Sequence, residues 1–209
     1  SLTGNTEYAA IAAEHIRYTV DCQETRPLEN GLRGWFYRNR EGHSIVHYIH
    51  QSREQIYMQA MEILCRTQPD HPDRHLWENS MKLYGEYLKG LRQYTEPYGM
   101  LASGVWKTDE WEDEKGFSSL HIFAPADAPE TYSEQVKNGV KIDEKHYVKR
   151  FPVWLNIFNG NTAIHLSTGK AAAICGKYFK DEELIQIAAE QLYWTTGKNP
   201  FGQSLIYGE

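Results

Sequence analysis

Long apolar runs are missing from this chain. No stretch approaches the ~18 consecutive residues that a membrane-spanning helix needs, so a transmembrane helix is not expected. Positive charge is also in short supply. The 209 residues carry 22 Lys and Arg against 28 Asp and Glu, a net charge of −6. That balance offers no basic face to displace counterions from nucleic acid, which is excluded as a partner. Cysteine is scarce: Cys22, Cys65 and Cys175 fall in apolar helical contexts. Their spacing fits neither a CxxC zinc site nor a disulfide framework, so they read as free, buried thiols. No pattern asks for a metal or another cofactor. The opening Ser1-Leu2-Thr3-Gly4-Asn5 lacks a signal-peptide pattern and reads as a helix stop followed by a helix start. The expectation is a single domain over 1–209, the later portion of a larger one, with its compartment left open. Aromatics, by contrast, are plentiful. Six Trp, fourteen Tyr and seven Phe include several in polar, loop-like stretches, where flat rings line binding clefts at low entropy cost.

Helical periodicity dominates the pattern. Asn5 to Gln23 reads as a helix capped by Asn5, with a stripe of Tyr8, Ile11, Ala12, His15 and Thr19. Ser52 to Arg66 opens on a capping box of Ser52 and Gln55 and is apolar nearly all round, which places it inside. A third helix, after the turn at 67–73, runs to about Tyr94 with a one-sided stripe and lies outside. The arrangement then repeats. Thr162 to Phe179 is Ala-rich and suits close packing inside. A turn at Lys180-Asp181 leads to an amphipathic helix with Leu184, Ile185, Ala188, Leu192 and Tyr193 on one face, ending at Gly197. Turns within hairpins are short, at 67–73 and 180–181, while the connections 24–51 and 95–161 are long enough to be functional. The fold class expected is all-α: a helical hairpin array with loops 24–51, 95–161 and 197–209 converging on one face. Helix faces left uncovered by a partial array predict self-association.

The segment Trp194-Thr-Thr-Gly197-Lys-Asn199-Pro200-Phe-Gly202-Gln-Ser204-Leu-Ile-Tyr-Gly208 resembles the stretch of glycoside hydrolase family nine that follows a late barrel helix. The opening Leu2-Thr3-Gly4-Asn5-x-x-Tyr8 resembles a hairpin turn common in six-hairpin glycosidases. The resemblance implies an (α/α)6 toroid, of which this chain holds roughly the later half, and a carbohydrate substrate. It carries over no catalytic residue. The family's Asp-Ala-Gly-Asp motif is absent, and its His-x-Arg and catalytic Glu would lie past Glu209. Gly197, Asn199, Pro200, Gly202, Ser204 and Gly208 transfer as a structural block.

Three stretches hold residue types that suit glycan chemistry. In the first, Trp35 and Tyr37 would stack on sugar rings, and His43, His47 and His50 follow; His50, just before the Ser52 cap, would project over the cleft beside Glu54. The histidine spacing lacks the carboxylate that would complete a metal-ligand pattern. In the second, Trp106 and Trp111 flank Asp109 and Glu110, a candidate acid or base between stacking rings; glycosidic cleavage needs two such carboxyl groups. The same run, Asp109 to Glu114, also reads as a solvated acidic face. In the third, Tyr147, Arg150 and Trp154 recur at helical spacing, and His165 opens the inner helix. Arg150 would pair a uronate carboxylate or a neighbouring acid. The catalytic candidates are therefore His50, Glu54, Asp109 and Glu110, and the substrate-binding ones Trp35, Tyr37, Trp106, Tyr147, Arg150 and His165. Three functions fit: a glycoside hydrolase-like domain on a poly- or oligosaccharide, a helical-toroid polysaccharide lyase using Tyr147, Arg150, Asn161 and His165, and a non-catalytic module that binds sugar or protein.

Overall fold

A computed structural model describes residues 5–47, 53–121, 124–155 and 161–206. Among these, the helices are α1 (Thr6–Asp21), α2 (Arg53–Thr67), α3 (Arg74–Arg92), α4 (Glu114–Leu120), α5 (Ala128–Lys137), α6 (Asn161–Phe179) and α7 (Glu182–Thr195). The chain is mostly helical, as its periodicity predicts. It is not all-α, because β1 (Gly104–Lys107), β2 (Val140–Lys141) and β3 (His146–Lys149) form an antiparallel sheet in the order β1-β3-β2. The helical spacing of Tyr147, Arg150 and Trp154 is likewise overturned: Tyr147 lies in β3 opposite Trp106, and the other two follow the strand.

Two helical hairpins form the main layer. Asn5 caps α1 by accepting a 2.9 Å bond from the Glu7 amide, and Asp181 caps α7 by accepting one from Leu184. Phe36 packs on Tyr57 of α2 and Tyr84 of α3, which places the middles of that hairpin's arms side by side. In the second hairpin α6 approaches α7 closely. A Cβ at Gly176 would stand 3.0 Å from the Ile185 amide nitrogen and 3.1 Å from the Asp181 carbonyl oxygen, tighter than most Cβ contacts, so glycine eases this approach. Lys170 reaches Gln59 in the middle of α2, and Tyr178 lies across the same groove from Cys65 near its end, so α2 and α6 run parallel. α3 buries Trp77, Ser80, Met81, Tyr84, Tyr87, Leu88 and Leu91 along its expected stripe, but it packs among α1, α2, α6 and α7 rather than outside them, whereas α2, expected inside, leaves Ile56 and Ile63 exposed. All three cysteines are free and buried.

Several apolar faces lie open. Tyr8, Ile11, Ile56, Ile63, Ile185, Leu192 and Tyr193 are all exposed. The stripes expected on α1 and α7 are therefore corrected. α7 instead buries Leu184, Ile187, Glu190, Gln191 and Trp194, because Gln191 accepts from the Leu101 amide and donates to the Gly99 carbonyl while Arg92 pairs with Glu190.

The long connections do not all gather at one end. Arg17 of α1 pairs with Asp73 at 3.1 Å, so the segment after α1 starts beside the 67–73 turn. It then climbs along α3. Gln23 bonds Ser80, Gly34 abuts the Leu83 carbonyl and Trp35 meets Tyr87. The segment after α3 builds the sheet and α5 against the upper part of that helix, where the Tyr87 hydroxyl accepts a bond from the Val105 amide. β1 and β3 pack on both faces. Val105 and Val148 join the helical core, whereas Trp106 and Tyr147 join a second cluster with Phe117, Tyr132, Val136 and Val153.

Candidate functional site

Glu110 is the most heavily engaged of the expected catalytic residues. It sits in a short 3-10 turn after β1, 2% exposed, and its two carboxylate oxygens take four bonds. His47 Nε2 lies 2.8 and 3.0 Å from them, the Lys107 amide donates at 3.0 Å and the Ile45 amide at 3.2 Å. The His47 ring stacks on Trp106 with centroids 3.5 Å apart and planes 3° from parallel. Wholly buried Tyr132 stands beside them, its phenol pKa pushed far up by burial and by the Glu110 charge. Ser44 bonds Asp113, which also caps α4. This is a buried carboxylate joining the 44–47 segment to the sheet layer. Glu110 is not poised in a cleft, and Trp106, 1% exposed, offers no ring face to a sugar.

Asp109 is partly buried. Burial works to raise its pKa, but Lys145 at 2.6 Å and Lys107 outweigh that, and the carboxyl stays below its usual range. It serves as a bridge between two cations. His50 lies outside the described residues, as does the side chain of Glu54.

Trp35 is core as well, at 1% exposed, packed on Tyr37, Tyr87 and His146. Tyr37 differs. It borders a polar hollow of about 260 Å³ together with Asp21, Glu24, Arg26, Asn39 and Arg40. Its hydroxyl donates to Glu24 at 3.0 Å, and its own ionisation is driven up by burial and by the Glu24 charge. Burial tends to raise the Glu24 pKa, yet the bonds from Arg26 and Tyr37 hold it below the usual carboxylate range. Asn39 Oδ1 is a buried acceptor with no partner among the described residues. Arg40 pairs with Asp21 at 2.7 Å and covers the Tyr18 ring at 4.6 Å.

The remaining candidates scatter. Tyr147 and His165 are buried, so neither presents itself as an open base, and the lyase set does not assemble in open space. Asn161 is placed only as the first residue of α6. His165 packs on Trp194 with ring centroids 5.0 Å apart. Arg150 is exposed and donates from Nε to the Tyr94 carbonyl at 2.7 Å, so the acid partner considered from sequence is replaced by a backbone oxygen. It follows the last residue of β3, while Trp35 meets the first. The expected common cleft of Trp35, Tyr37, Trp106, Arg150 and His165 is therefore not formed. Sequence reasoning missed Glu24, Asn39 and the His47–Glu110 bond. Glu24 and Asn39 carried no motif, and the bond joins residues 63 apart.

Two buried histidines make the fold acid-sensitive. Burial, aided by the charges of His47 and Arg38, lowers the His121 pKa from 6.5 to about 3. Burial lowers that of His165 to about 4 against an opposing bond with the Leu101 backbone. Below pH 6.5 the unfolded chain therefore binds protons that the folded chain refuses, so the stability present above 6.5 is lost as pH falls toward these values. Melting temperature is expected to decline from about pH 6.5 downward, before ordinary carboxylates titrate. His165→Phe should flatten part of that slope, and an unchanged profile in wild type across this window would contradict the burial argument.

No protein-family model matches the chain, and no curated protein or solved structure matches it.

Proposed function

We propose that this chain belongs to a carbohydrate-active, glycoside hydrolase-like domain of (α/α)6 type acting on a polysaccharide or oligosaccharide. The observation that carries this reading is the pair of adjacent hairpins. Parallel helices α2 and α6 are each joined to the following helix by a short turn, with a long elaborated segment between the hairpins. The C-terminal block supports it from its own geometry. Gly197 has φ 130°, and Asn199 ties the turn by donating to the carbonyls of Trp194 and Gln203 while accepting from the Phe201 amide.

The hollow beside Tyr37 is the sugar-contacting part of this reading. Sugar hydroxyls both donate and accept, and here the Glu24, Asp21 and Asn39 oxygens stand among the Arg26 and Arg40 guanidinium groups. Arg150 supplies a separate cation on the surface, suited to acidic residues of a chain. Because Asp109 and Glu110 are committed to structural bonds, these described residues bind glycan without supplying the acid and base. That commitment also favours the second reading, a non-catalytic sugar-binding module.

Affinity electrophoresis through gels containing neutral and acidic polysaccharides tests both readings, run beside a reducing-sugar assay. The chain is expected to be retarded by at least one glycan and to release no reducing ends. Asn39→Ala and Tyr37→Phe should reduce retardation, and Arg150→Ala should do so more for acidic than for neutral polymers. Absence of retardation by every glycan, for a protein that melts cooperatively, would overturn the sugar reading. Release of reducing ends would overturn the non-catalytic assignment of these residues.

A further inference from the structure

Lys170 and Lys177 stand seven residues apart on α6, two helical turns, and so share one face of that helix. Across from them α2 presents Gln59, Glu62 and Arg66 at the same periodicity, and Arg74 closes one end from the first turn of α3. Between these elements runs an open groove of about 750 Å³, within the range of sites that hold small organic molecules. Its apolar lining is Cys65, Ile174 and the ring of Tyr178; its rim is charged.

The charges do not balance. Arg66 pairs with Glu62 at 3.2 Å, and Arg74 with Glu78 at 3.0 Å. Glu78 also accepts from the Tyr178 hydroxyl, which fixes that ring in place. Lys170 has only the neutral amide oxygen of Gln59, at 3.0 Å. Lys177 makes no ion pair among the described residues. Two cations are thus left uncompensated in a chain whose net charge is −6. The negative ends of the α2 and α6 dipoles account for Arg66 and Lys177, which lie in last turns. They do not account for Lys170, more than two turns from the end of α6, because the dipole's influence falls off within one turn.

We propose that this groove binds a small organic oxyanion, a phosphate or carboxylate carried on a sugar-sized body, with Lys170 and Lys177 as its counter-charges. The body lies along Ile174 and the Tyr178 ring, and the two ammonium groups hold the anion from one side. Arg66 and Arg74 add positive potential while keeping their own acids. The site is distinct from the hollow beside Tyr37, with which it shares no lining residue.

Amide chemical shifts of α2 and α6 in the full chain should be followed during titration with inorganic phosphate, glucose 6-phosphate, glucuronate and glucose, at low salt. The expected result is saturable movement of groove amides with at least one anion by about 10 mM and none with glucose. Tighter binding of glucose 6-phosphate than of inorganic phosphate identifies a sugar phosphate as the ligand class; tighter binding of glucuronate identifies a uronate. The double variant Lys170→Gln with Lys177→Gln, both exposed and free of core contacts, should keep its fold and weaken binding roughly tenfold or more. Lys82→Gln with Lys115→Gln, which removes equal charge elsewhere, should bind as wild type does. Failure of every anion to produce saturable shifts, or equal loss in both double variants, would overturn the proposal. Tyr37→Phe should leave this binding unchanged, which separates the groove from the glycan reading.

Discussion

Glu110→Ala should destabilise the fold by about 3–5 kcal/mol in urea denaturation, the sum expected when several buried donors lose one acceptor. The substitution removes the acceptor of three buried donors at once: His47 Nε2 and the amides of Ile45 and Lys107. An unsatisfied buried donor costs about 1–3 kcal/mol. Because the bonds run from the 44–47 segment to the end of β1, their loss should also loosen the stacking of His47 on Trp106. Loss of near-ultraviolet dichroism from Trp106 ahead of the main transition would report that loosening. Glu110→Gln keeps one acceptor oxygen and should fall between the variant and wild type. A loss below about 1 kcal/mol for the alanine variant would show that the carboxylate does not join the two segments.

Trp106→Ala is expected to cost about 3–5 kcal/mol, as for other buried tryptophans. Trp106 is 1% exposed, stacks on His47, meets Tyr132 at a ring-centroid distance of 6.2 Å and bonds Ser103 through its indole nitrogen. Truncation would leave a void in the smaller of the two cores, where few other side chains can move in. Read from sequence, the same residue stood in a cleft, and its removal should then weaken sugar binding with little change in stability. Burial reverses both halves of that expectation. The melting temperature should drop, and the affinity of the surviving folded protein for any glycan that retards wild type should not change. An unaltered melting temperature with lost retardation would return Trp106 to the cleft.

Local patterns made the helical layer legible. The Asn5 cap, the α3 stripe, the turn at Lys180-Asp181 and the Ala-rich α6 each depend on residues within a few positions of one another, and each appears where expected. The sheet was not legible. β1 and β3 are four residues long, and their pairing of Val105 with Val148 spans a stretch that also forms α4 and α5. No local period marks such a pairing, and the spacing of Tyr147 and Arg150 imitated a helix. The candidate site failed for a related reason. Glu110 sits in a run of acids that ordinarily faces water, and only segments more than 60 residues away, bringing the Ile45 amide and His47, make it a buried acceptor. Loop aromatics were equally ambiguous. Trp35 and Tyr37 lie two residues apart on the same side of an extended segment and meet edge to face, so Trp35 fills the core while Tyr37, at the edge of that packing, borders the polar hollow.

The sheet's two faces have a mechanical consequence. Val105 and Val148 are part of the helical core, while their neighbours Trp106 and Tyr147 anchor the outer layer. One thin wall thus serves two rooms. The layer formed by α5 and the sheet cannot swing away as a lid, since any hinge opening at β1 would withdraw Val105 from among the helices and strip the Tyr87 hydroxyl of its amide donor. Nor can β1 slide by one position, because that would carry the bulk of Trp106 into a space shaped for valine. Any larger motion of this layer must come from the segments around this wall, which serves as the frame against which they move.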